Sequence, residues 1–306
     1  MGSYYNRNGE NPSFYYESTA CMDLSRRKKL IADRPIRYNL LICKRFQRMT
    51  PAGDHDPMSA LNASNPLVIE QDDEGYRYSI EPFLLANFVY VAPGARVLDV
   101  GTGCGVIPLL LKTRGTVREI VAVEIQESLY DLAVRNISKN GGGETIRLIH
   151  GDFLNGEPDA AEGLFDAVLS NPPYRKVDTG RINPNKEKAV ARHELAMDME
   201  SLISRASGLL KPGGTLTLAY PPLRLPETLE QLCVRRLFPA RLRFVHGSLD
   251  AEARIFLVEA VKERQADCIV EPSLYVYNKD GSYSKEMEGI YASFNYSGRT
   301  DHLEEK

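Results

Sequence analysis

Between Val97 and Gly105 the chain reads Val-Leu-Asp-Val-Gly-Thr-Gly-Cys-Gly, an apolar run that gives way to glycines at alternate positions. The run predicts a strand. The glycines after it allow a tight turn and close approach of the backbone to a ligand before a helix opens. The same alternation of short β-branched runs and helical stretches continues from about residue 66. Arg96 to Val100, Glu119 to Val123, Ile146 to His150, Leu164 to Ser170, Thr215 to Tyr220, Leu242 to His246 and Arg254 to Val261 read as seven strands. Val106 to Arg114 reads as a helix, and so does Gln126 to Asn140, which sets Leu129, Leu132, Ala133 and Ile137 on one face before a triple glycine stops it. A further helix over Leu202 to Leu210 ends at Lys211-Pro212-Gly213-Gly214. The fold class expected is therefore α/β, a seven-stranded, mostly parallel sheet with helices on both faces.

Composition narrows the function. With 43% apolar residues in 306 the chain can bury a sizeable core, which excludes a disordered chain and a disulfide mini-protein. A net charge of −3 excludes a polycation of histone type, so any nucleic-acid surface must be a local patch. Cys21, Cys43, Cys104, Cys233 and Cys268 form neither a CxxC pair nor a Cys/His cluster, so no metal site is expected and a reducing cytoplasm is the simplest location. The apolar run Tyr38 to Cys43 is far too short for a membrane span. Residues 1–65 are rich in Asn, Ser and Tyr and carry ten Lys/Arg against six Asp/Glu. They read as a disordered or loose extension, with a start at Met49 or Met58 or a basic RNA-contacting arm built on Arg26, Arg27, Lys28 and Lys29 as the alternatives.

Two carboxylates give the glycine turn a ligand. Glu124 ends the second strand, 19 residues beyond Gly105, where it can accept ribose hydroxyls, and Asp152 follows the third, where it can accept from an adenine amine. Both stand at carboxyl ends of strands, where an open α/β sheet binds its ligand. The spacing alone fits NAD and S-adenosylmethionine about equally. The chemistry favours the latter: the string is GxGxG, and Asp99 before it would repel a pyrophosphate but suit a ligand bearing an ammonium and a sulfonium. The expected cofactor residues are Asp99, Gly101, Thr102, Gly103, Gly105, Glu124, Ile125, Asp152, Phe153 and Asn171.

The fourth strand ends in Asn171-Pro172-Pro173-Tyr174. This tetrad resembles the NPPY motif of class I methyltransferases that modify planar amino or amide nitrogens, with their Rossmann-like fold. An exocyclic amine has its lone pair delocalised into the ring, so orientation is a large part of its activation. The Asn171 amide oxygen and the Pro172 carbonyl can each accept a hydrogen from such an amine, easing the positive charge that builds as a methyl arrives. The prolines stiffen the turn, and Tyr174 offers a stacking face. Those four residues are the expected catalytic set.

Around the tetrad lie Gln71 to Phe88 upstream and, downstream, Arg175-Lys176, Gly180-Arg181-Ile182-Asn183-Pro184 and Ala191-Arg192-His193-Glu194. Together these resemble the bacterial tRNA(Val) adenine-37 N6-methyltransferases over roughly residues 66 to 280, although Glu81 beside Ser79 stands where that family usually has a Ser-x-Asp-type string. The resemblance implies an enzyme that uses S-adenosylmethionine, acts on the anticodon loop of tRNA and receives the flipped adenine at Asn171 to Tyr174. The methyltransferase domain is accordingly expected over 66–280, with a C-terminal tail over 281–306 that reads as loose from Tyr291 onward. From Arg175 to Glu194 six basic residues face three acidic ones, so Tyr174, Arg175, Lys176, Arg181 and Arg192 are expected to hold RNA. The alternatives are a release-factor glutamine methyltransferase, a ribosomal-RNA guanine-N2 methyltransferase and a silent RNA-binding protein that keeps the fold. Oligomeric state is left open.

Overall fold

The computed structural model describes residues 66–71, 79–156, 163–172 and 198–296. The extension 1–65, and with it the proposed basic arm, lies outside the described residues, as do Pro173, Tyr174, Arg175, Lys176, Arg181 and Arg192.

In chain order the described elements are α1 (Glu81–Phe88), β1 (Arg96–Val100), α2 (Val106–Thr113), β2 (Glu119–Glu124), α3 (Glu127–Lys139), β3 (Ile146–His150) and β4 (Phe165–Ser170). Then follow α4 (Met199–Leu209), β5 (Leu210–Tyr220), α5 (Leu225–Val234), β6 (Leu237–His246), β7 (Ala253–Lys262), β8 (Ile269–Val270), β9 (Leu274–Tyr275) and α6 (Lys285–Ser293). The sheet order is β3-β2-β1-β4-β5-β7-β6-β8, with β9 also on β6. Strands β1 to β5 run parallel to one another, and β7 enters antiparallel between β5 and β6. Chain order reverses between β1 and β4, which makes their carboxyl ends the switch point of the sheet.

β1 is buried along its whole length because side chains leave it alternately towards two cores. Val97 joins α1, α2 and α6 on one face, while Leu98 and Val100 join α4 and α5 on the other. Each fully buried aliphatic side chain in these layers stabilises the fold by roughly 1.5–3 kcal/mol. Arg96, also buried, is satisfied at the amino end of β1 by Glu119 at 2.6 Å and by the face of Phe165 at 4.3 Å.

The α/β class stands, but three local expectations change. Nine strands rather than seven are found among the described residues, the additions being the two-residue β8 and β9, too short to carry a periodic pattern. The Lys211-Pro212-Gly213-Gly214 stop lies inside β5, not in a loop. Phe165 pairs with Leu210 and Ala167 with Thr215, so the intervening residues form a bulge. Gly214 fits there because a Cβ would lie 3.0 Å from the Asp166 carbonyl oxygen. Finally, the expected tail is not all tail, and residues 291–296 are not loose. α6 packs Met287, Ile290 and then Phe294 into the first core, and the Asn295 carbonyl accepts the Leu67 N–H. The polar residues of this stretch hide a short amphipathic helix. No helix among the described residues is long and apolar enough to cross a membrane.

Candidate active site

The site is built where β1 and β4 end together. Val100 pairs with Ser170, so the next residues on each strand, Gly101 and Asn171, leave the sheet side by side. The buried Ser170 hydroxyl donates to the Val100 carbonyl at 2.9 Å and ties the two strand ends together. The turn then climbs over β2: the N–H groups of Gly101 and Thr102 both donate to the Val123 carbonyl, at 2.9 and 3.0 Å. Gly101, Gly103 and Gly105 take positive φ of 72°, 59° and 83°, which an L side chain rarely adopts. At Gly105 a Cβ would also press to 3.3 Å on the Ala133 Cβ, so glycine lets α3 pack directly under the turn.

Glu124, 2% exposed at the end of β2, anchors this turn: one carboxylate oxygen accepts the Gly103 N–H and the other the Gln126 N–H, both at 2.8 Å. A structural task thus accompanies the ribose-binding one expected of it. Asp152 accepts the Leu154 N–H at 2.8 Å and the Asn155 side-chain amide at 2.6 Å, which fixes the turn after β3. Ile125 is on the surface beside Glu124, whereas Phe153 is buried in the second core with Val100 and Val123.

Asp99 differs from both. It is fully buried, and among the described residues only the Thr102 hydroxyl stands by it as a hydrogen-bond donor. Burial pushes its carboxyl up to about 7, with the Thr102 hydroxyl pulling it down and the Glu124 carboxylate pushing it further up. The Asn171 amide oxygen is buried without a partner among the described residues. Unsatisfied buried polar atoms are costly in a native protein, so an orphaned amide oxygen near a carboxylate paired only with a hydroxyl points to a ligand that completes them. Gly101, Thr102, Gly103, Cys104, Val106, Ile107, Asn171 and Pro82 line a single cleft there. The Cys104 thiol, raised to about 12 by burial, is no nucleophile.

The structure thus brings together Asp99, Gly101, Thr102, Gly103, Gly105, Glu124 and Asn171, with Pro172 buried just beyond. Asp152 stands at the carboxyl end of the next strand but one, while Phe153 faces the core. Sequence reading missed Pro82, Ser170 and Asn136. For Asn136 a signal existed: an amide on the apolar face of α3, at helical spacing from Leu132 and Ala133. Leu129, expected on that face, is only half-buried, and Asn136 is fully buried in its stead.

Comparison with known proteins gives the family. Residues 81–235 match the model of the methyltransferase small domain. A protein named tRNA1(Val) (adenine(37)-N6)-methyltransferase from Porphyromonas gingivalis is 32% identical, over 74% of this chain and 91% of its own length. Proteins of the same name from Shewanella frigidimarina and Dyadobacter fermentans are 30% and 26% identical over 74% of this chain, and over 95% and 92% of theirs. In fold the chain is similar to a solved predicted O-methyltransferase from Agrobacterium tumefaciens, with a TM-score of 0.56 at 18% identity, over 72% of this chain and 99% of that one.

Proposed function

The chain belongs to the methyltransferase small domain family, and from that premise we propose that it transfers a methyl group from S-adenosylmethionine to the exocyclic N6 of adenine in tRNA, at position 37 beside the anticodon of a valine tRNA. The observation that carries this reading is the side-by-side exit of Gly101 and Asn171 from β1 and β4 into one cleft, with the Asn171 amide oxygen buried and unpartnered among the described residues.

When bound, S-adenosylmethionine supplies a methyl carbon activated by its sulfonium. The residues present suit it: the glycine turn leaves room for close approach, Asp99 offers a buried carboxylate with no cationic partner among the described residues to a cationic group, and Glu124 and Asp152 stand at neighbouring strand ends. Asn171 and the Pro172 carbonyl hold the acceptor amine by its hydrogens and stabilise the charge that develops on nitrogen. No strong base is required, because the methylated amine is acidic enough to give its proton to water.

The relatives' names direct the choice of acceptor to adenine in tRNA. The segment 173–197, outside the described residues, contributes the basic residues Arg175, Lys176, Arg181 and Arg192 from sequence, and an anticodon loop, already single-stranded, gives up a base at low cost. Transfer of labelled methyl from S-adenosylmethionine, run in parallel on tRNA, release factor and ribosomal RNA, tests the reading. Label in tRNA supports it; label in release factor or ribosomal RNA alone, or in none, overturns it.

A further inference from the structure

Residues 66–71 enter the molecule along α3, held by two asparagines one helical turn apart. Asn140 accepts the Val68 N–H on Oδ1 at 3.0 Å and donates from Nδ2 to the Val68 carbonyl at 2.7 Å. Asn136 repeats the pattern on Glu70: Oδ1 accepts its N–H at 2.8 Å and Nδ2 donates to its carbonyl at 3.1 Å. The match is one of pitch. Four helical residues rise about 6 Å and two extended residues about 6.6 Å, so two amides on one helix face meet alternate peptide groups of a strand. The ion pairs of Glu70 with Lys139 and Arg135 are exposed and contribute little.

The two asparagines differ in one respect. Asn136, fully buried, uses its Nδ2 also to donate to the Cys104 carbonyl at 2.9 Å, in the middle of the glycine turn. Asn140 has no such bond; its second contact is back to the Asn136 carbonyl in its own helix. Gly103 is held from β2 by Glu124, and the adjoining Cys104 peptide is held from α3 by Asn136, so the cofactor-lining segment is pinned from two sides.

From this we propose that Asn136 is a positioning residue for cofactor binding: it fixes the glycine turn and couples that turn to the 66–71 segment, whereas Asn140 holds the segment alone. The inference rests on the proposed reading of the turn as the S-adenosylmethionine site. A carboxylate at 136 keeps the acceptor for the Glu70 N–H but loses the donor to both the Cys104 and the Glu70 carbonyls, whereas Asn140→Ala loosens the segment without touching the turn, so the two variants together separate the tasks.

Titration calorimetry with S-adenosylhomocysteine on the full chain, alongside thermal unfolding, tests the proposal. Asn136→Asp and Asn136→Ala, both of which release the Cys104 carbonyl, are expected to weaken binding about tenfold, the effect on the turn of losing that one buried hydrogen bond, with kcat at saturating cofactor within about threefold of wild type. Asn140→Ala is expected to lower the melting temperature with affinity unchanged. Equal affinities in wild type and both Asn136 variants would overturn the proposal, as would an equal loss in Asn140→Ala, because either makes the pair a purely structural clamp. Failure of both Asn136 variants to fold would overturn it for the same reason. Absence of binding by the wild type would instead remove the cofactor reading on which it rests.

Discussion

Two buried polar side chains with too few partners among the described residues belong to the site: Asp99, next to the Thr102 hydroxyl alone, and Asn171, whose amide oxygen has none. Burial raises the Asp99 carboxyl from near 4 to about 7, so the folded protein keeps its proton where the unfolded chain has lost it. Its contribution to stability is therefore fully present below about pH 4 and declines as pH rises to about 7. A cationic ligand reverses the preference and favours the ionised form. S-adenosylmethionine affinity is accordingly expected to climb as pH rises towards 7 and then level off, and Asp99→Asn to flatten that climb. Calorimetric titrations between pH 5.5 and 8 check this, and a flat wild-type profile would count against the assignment. Asn171→Ala should leave cofactor affinity within about twofold while turnover drops by about 10²–10³, the loss of one preorganised polar group. Steady-state kinetics with binding measured separately decide it; near-full turnover would remove the role assigned to the amide.

At the scale of elements, the strand-glycine-helix unit was legible because its signal is local: an apolar run, then residues that permit positive φ. β2, β3 and β4 were legible for the same reason, and with them the placement of Glu124, Asp152 and Asn171 at strand ends. What the sequence hid depends on partners far along the chain. The Pro-Gly-Gly bulge in β5 is held by pairing with β4, and the full burial of Asn136 depends on the 66–71 segment reaching it. α6 has too few apolar residues to announce itself, yet Phe294 is 1% exposed and sits edge-on to Phe83, 6.3 Å between centroids. Phe294→Ala is expected to cost about 3–5 kcal/mol in urea unfolding, whereas the same change in a loose tail would cost close to nothing.

For the molecule as a whole, the net charge of −3 means that RNA affinity must come from a confined surface, and the densest basic run near the tetrad is 175–194. Reversing Arg181 and Arg192 to Glu is expected to weaken tRNA binding and reduce the slope of log affinity against log salt, by about one for each phosphate no longer neutralised. An unchanged slope in filter binding across salt concentrations would take this segment out of the RNA footprint. The central claim is that the lip shared by β1 and β4 brings a sulfonium methyl to an adenine amine of tRNA. Nucleoside mass spectrometry on tRNA incubated with the protein and S-adenosylmethionine, with the modified nucleotide mapped by nuclease digestion, tests it most directly. N6-methyladenosine at position 37 of a valine tRNA is the expected product; methylguanosine, or unmodified tRNA beside a methylated glutamine in release factor, would contradict it.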